Sequence, residues 1–171
     1  MRNLLFVSVL LLAACGDPAA EQAAKDKAAA AEAAKKLQLT PGQWESRLEV
    51  TAVTAQDKAP QPAISAKAGD TMTASACVTE AQAKDPPPAL LAGSDAYQCK
   101  TGAMYMSGGT LGGTLECTRR GIAGTVNINV DGSYKAESLE SAHKVTTFLP
   151  GPGDVVIDSK LTARRIGECS Q

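Results

Sequence analysis

The chain has few aromatic residues. Two Phe, three Tyr and one Trp among 171 residues leave Val, Ile, Leu, Ala and Met to build the core, which must be thin. One histidine, His143, and scattered acids give no metal-ligand spacing, and the lack of Cys-x-x-Cys removes a dithiol redox motif. No metal or other cofactor is expected. Charge is balanced: 17 basic against 18 acidic residues give a formal −1, without a basic run. Nucleic acid is therefore excluded as a partner, since capture of phosphates needs several Lys or Arg on one face. Catalytic signatures are missing too. No Gly-x-Ser-x-Gly occurs, and Gly108-Gly109 and Gly112-Gly113 lack the Lys-Ser and helix of a phosphate loop; they read as turn glycines.

The apolar run Leu4–Leu12 is too short to cross a bilayer, which takes about 20 apolar residues. Arg2 precedes it and Leu12-Ala13-Ala14-Cys15 ends it. A charged start, a short apolar run and a small-residue finish mark a secretion signal, to be set aside from the fold. The ending resembles the lipobox of bacterial lipoproteins. That resemblance implies removal of residues 1–14, a fatty-acyl (palmitate-type) anchor on Cys15, and a bacterial envelope protein facing the periplasm. Gly16 rather than Asp follows the cysteine, which favours the outer over the inner membrane.

Residues 15–39 are then the lipidated cysteine and a spacer. Pro18 to about Gln38 is rich in Ala, Lys, Glu and Gln, which are good helix formers, but it carries no apolar stripe beyond alanine. A helical tether with nothing to bury is expected, without Leu or Ile at coiled-coil seams.

From Thr40 the pattern changes to period two. Trp44, Ser46, Leu48, Val50 and Ala52 alternate with Glu45, Arg47, Glu49 and Thr51 after the Pro41-Gly42 turn signal. Residues 55–70 read as a long loop and Thr71–Val78 as a strand. Thr79 to Gln82 fits a capping box opening a short helix that Pro86-Pro87-Pro88 must stop. Strand patterns follow at 98–106, 114–119, 122–130, 134–140, 143–148 and 155–166, separated by Gly or Pro. Val130-Asp131-Gly132 reads as a three-residue hairpin loop that pairs Ile128 with Tyr134 and Val126 with Ala136. Residues 40–171 are thus expected to form an all-β domain. The expectation is a single curved antiparallel sheet or half-barrel of about seven to eight strands with one short helix.

Cys77, Cys99, Cys117 and Cys169 remain beyond Cys15. Four cysteines permit three pairings. Ser107–Gly113 is a glycine-rich turn region. A turn centred on Gly108 sets Cys99 opposite Cys117, Lys100 opposite Glu116 and Thr101 opposite Leu115, an arrangement favoured by the charge pair. Cys77–Cys169 follows by elimination. Strand alternation also sends Tyr105 to the Cys99 face and Met104 and Met106 to the other.

The set Pro41-Gly42-x-Trp44-Glu45, Cys77-Val78-Thr79, Cys99, Ser107-Gly108, Cys117, Tyr134 and Ala163-Arg164-Arg165-Ile166-Gly167-Glu168-Cys169 can be placed. It resembles the bacterial exported family called domain of unknown function 3617, over about Thr40 to Cys169. The resemblance implies an envelope location and a cysteine-stapled β domain, and it transfers no catalytic residue. His143 reads as a surface or strand-edge residue, and no catalytic site is expected. An exported sheet without catalytic residues suggests a binding module. Its concave face would hold an apolar or envelope-derived ligand, with Trp44, Leu48, Met104 and Met106 as candidate contacts. The alternative is a structural or protein-interaction role at the envelope.

Overall fold

A computed structural model describes residues 18–58, 64–150 and 153–170. The expected secretion signal and Cys15 lie outside the described residues. The helix expected from Pro18 to about Gln38 is α1 (Pro18–Lys36). Its Lys25 pairs with Glu21 at 2.8 Å one turn away, which is typical of a helix supported by solvated side chains. At 1.5 Å per residue it is about 28 Å long. None of the described helices is long and apolar enough to cross a membrane.

Seven antiparallel strands follow in one curled sheet, a half-barrel, ordered β2-β1-β7-β6-β5-β4-β3. They are β1 (Gly42–Ala55), β2 (Thr71–Val78), β3 (Tyr97–Ser107), β4 (Thr110–Arg119), β5 (Ile122–Tyr134), β6 (Ser138–Phe148) and β7 (Val155–Gly167). Period-two alternation puts one apolar row per strand on the concave face, including Leu48 and Val50, Leu111 and Leu115, Val126 and Ile128, and Ile157 and Leu161. Trp44 is fully buried there, and its Nε1 donates to the Thr40 carbonyl at 3.1 Å. Ala52 leaves this row because the β1–β7 register shifts between Val50 and Ala52.

Helix α2 (Pro88–Ala92) bridges the open side of the sheet, touching β1, β2 and β3 and burying Leu90 and Leu91. The prolines begin this helix instead of ending one. Pro87 is extended at the cap and Pro88 takes the first turn, where the missing N–H costs nothing. Residues 79–85 form turns, in which the Gln82 side chain accepts from the Thr79 N–H at 3.1 Å.

Both disulfides are those expected. Cys99–Cys117 joins directly opposed residues of β3 and β4, and Cys77–Cys169 ties β2 to the segment after β7. The register of Cys99, Lys100 and Thr101 is as expected, but the turn is Gly108-Gly109 alone, with φ of +61° and +84°. Such angles suit a two-residue hairpin, and glycine meets them without strain. The residue left over is taken up by a bulge between Thr101 and Met104. That bulge reverses the alternation, so Met104 and Met106 pack on the core with Cys99, and Tyr105 faces solvent. Gly112 and Gly113 lie in β4 and are not turn glycines.

The Asp131-Gly132 hairpin does not form. β5 runs on to Tyr134, Ile128 pairs with Val145, and the turn falls at 135–138. Period two continues through Gly132 to buried Tyr134. Gly132 is there for clearance: a Cβ would stand 2.1 Å from the Glu140 carbonyl oxygen. In place of the two strands expected at 134–140 and 143–148, Tyr134 ends β5 and residues 138–148 form one strand, β6.

Candidate binding cavity

The concave face is not filled evenly. Leu90 and Leu91 of α2 pack the middle, and beyond them a cavity of about 300 Å³ remains between the two ends of the curled sheet. Leu48 and Val50 of β1, Val145 of β6, and Ile157 and Ser159 of β7 line it from the sheet, and all are buried. Ile64, Ala92 and Ser94 are its buried walls. Asp70, Thr71, Met72, Tyr97 and Arg119 line its less buried rim. Ligand sites commonly occupy about 300–1,000 Å³ and are mostly apolar with a few placed polar groups. This cavity sits at the lower end of that range.

Its walls are held by backbone bonds. Val50 donates to the Asp70 carbonyl and accepts from Gly69 N–H, both at 2.9 Å, which pins the loop carrying Ile64 to β1. The Asp70 side chain closes the turn by accepting from the Lys67 N–H at 2.9 Å. On the far rim the Arg119 guanidinium lies over the Tyr97 ring at 6.0 Å. Burial pushes the Tyr97 phenol up from its ordinary value, and the Arg119 charge opposes that shift.

Polar side chains interrupt the concave row at Ser141, His143 and Ser159, all buried. His143 is a central-strand residue 2 % exposed, which corrects the expectation of a surface or strand-edge role. Its Nε2 and the Ser141 Oγ share a hydrogen bond of 2.9 Å. Burial lowers its pKa to about 4, so the ring is neutral. His143 Nδ1 and Ser159 Oγ have no hydrogen-bond partner among the described residues. A buried polar group left unpaired costs about 1–3 kcal/mol.

Of the four candidate contacts read from the sequence, Leu48 lines the cavity. Trp44 is sealed in the core, and Met104 and Met106 flank a separate space of about 30 Å³ beside Pro86 and Leu91. Ile64 was missed because it is a lone apolar residue in a loop. Ser159 carried a usable signal: it breaks the inward row Val155, Ile157, Leu161, Ala163 with a hydroxyl.

A family model described as "Protein of unknown function (DUF3617)" matches residues 39–169, the whole sheet and both disulfides. The chain belongs to the DUF3617 family. No curated protein and no solved structure matches it. In this DUF3617 chain the match starts at buried Leu39, so the family unit is the half-barrel and α1 lies outside it. Among the described residues, no group of three His, Cys, Asp or Glu is placed to hold a metal ion.

Proposed function

We propose that this DUF3617 protein is a non-catalytic, lipid-anchored lipoprotein of the bacterial envelope whose half-barrel binds a small apolar or amphiphilic ligand. Cys15 carries the anchor, α1 spaces the domain from the membrane, and the domain faces the periplasm. The outer membrane is the favoured site. The observation that carries the binding reading is the cavity of about 300 Å³ on the concave face, floored by Leu48, Val50, Val145 and Ile157. A purely structural sheet gains stability from closing such a space, because each unfilled volume forfeits dispersion contacts. The cavity has room for one small ligand and not for a whole diacyl lipid. The His143–Ser141 pair supports no hydrolytic role, since among the described residues Nδ1 meets no acid that would orient the ring.

Native mass spectrometry of the protein extracted from its own membrane tests this reading. The expected spectrum shows acyl groups on Cys15 and a second, non-covalent mass that leaves on unfolding. An acylated protein with no added mass at the gentlest activation would overturn the binding role. Absence of acyl groups would overturn the anchor.

A further inference from the structure

The cavity lining holds an unsatisfied polar group with a second one beside it. Ser159 lines the cavity, is 4 % exposed, and its Oγ has no partner among the described residues. His143, directly opposite across the β6–β7 pair, leaves Nδ1 equally unpartnered. Opposed residues on one face of a sheet hold their Cβ atoms about 4.5–5.5 Å apart, so His143 stands beside Ser159 but outside the cavity lining, which Ser159 alone of the two reaches. Around them the lining from the sheet is Leu48, Val50, Val145 and Ile157. We propose that Ser159 turns its unpartnered hydroxyl to the cavity and seats the uncharged hydroxyl or carbonyl end of an amphiphile whose apolar body lies along Val50, Val145 and Ile157. This rests on the binding reading above and names the class of its ligand.

The absence of charge at the seat selects the head group. Val130 and Ser159 face His143 from the neighbouring strands, and Ser141 and Val145 flank it along β6; none of them ionises. The charged side chains that line the cavity, Asp70 and Arg119, stand at the rim. A carboxylate or ammonium lowered to Ser159 would lose its water with no opposite charge to replace it. A hydroxyl both donates and accepts, so it pairs with the Ser159 Oγ in either sense.

The full chain carrying Cys15→Ser, exported and oxidised, is titrated with octanol, octane and octanoate at about pH 8, where the carboxyl is ionised. Amide NMR shifts at Val50, Val145 and Ile157 report occupancy. Octanol is expected to bind more tightly than octane, and octanoate more weakly than octanol. Ser159→Ala removes one hydrogen bond and should weaken octanol roughly three- to tenfold while leaving octane unchanged. Equal binding of octane and octanol, or no effect of Ser159→Ala, would overturn the polar seat and leave the cavity reading standing. Octanoate as tight as octanol would overturn the uncharged head group. Failure of all three probes would overturn both the seat and the binding role.

Discussion

Replacing Cys77 and Cys169 together by serine should lower the stability of the oxidised domain by about 4–5 kcal/mol in the chain-entropy account. The bond closes a separation of 92 residues, against 18 for Cys99–Cys117. It also joins elements that do not pair. β2 is an edge strand with β1 between it and β7, and Gln43 of β1 pairs with Cys77 on one side and Gly167 on the other. The bridge therefore clamps the start of β1 from both flanks. Without it, β2 is held among the described residues chiefly by β1 and α2. Whole domains are stable by about 5–15 kcal/mol, so a loss of this size takes about a third or more of that and brings a domain at the low end near its midpoint. Cys99→Ser with Cys117→Ser should cost less, about 3 kcal/mol, since those strands are already in register. Equilibrium denaturation in urea measures both. A Cys77/Cys169 loss smaller than the Cys99/Cys117 loss would show that the long bridge is not the main brace.

Acidification should cost nearly as much, through one residue. His143 titrates at about 4 in the folded chain because burial disfavours its charged form, against 6.5 when exposed. As pH falls through 6.5 the unfolded chain takes up a proton that the folded chain refuses. The unfolded state then binds more protons, and stability declines down to about pH 4, where the folded ring also protonates. A shift of that size corresponds to about 3 kcal/mol across the window. Above pH 6.5 the ring is neutral in both states and contributes no slope. Denaturation midpoints of the wild type and His143→Leu, compared from about pH 7 to pH 4, isolate the effect. The difference between the two should grow steadily as pH falls. Parallel curves would mean that water reaches the ring and that the concave seam is wet.

The curved antiparallel sheet and the Cys99–Cys117 bond were legible because they follow from alternation, and Cys77–Cys169 followed by elimination; the order of the strands was not read. Cys99, Lys100 and Thr101 fall opposite Cys117, Glu116 and Leu115 once a glycine turn is placed between them. What failed was punctuation. Asp131-Gly132 looks like a turn locally, yet the row Ile128, Val130, Gly132, Tyr134 keeps its face, and pairing with β6 on one side and β4 on the other overrides the dipeptide. The bulge before Met104 adds a residue that no side chain announces, and every face assigned beyond it was inverted. Pro86-Pro87-Pro88 was read as a stop because a proline ends a helix behind it, but the same residue is well placed to begin one. The cavity depends on where the loop bearing Ile64 and the strand ends around Tyr97 and Arg119 meet across the curl. That contact is tertiary and no local pattern encodes it. The misplaced candidates follow: Trp44 was the most conspicuous apolar residue, and the largest side chain fills the core instead of lining the hollow.

Ligand binding requires that the concave face be hollow where Val50, Ile64, Val145 and Ile157 converge. A crystal of the oxidised domain held under xenon pressure answers this directly, because xenon settles in accessible space lined by apolar side chains. Xenon density among those side chains is the result expected. Side chains closed over the same space, with no gas bound, would contradict it.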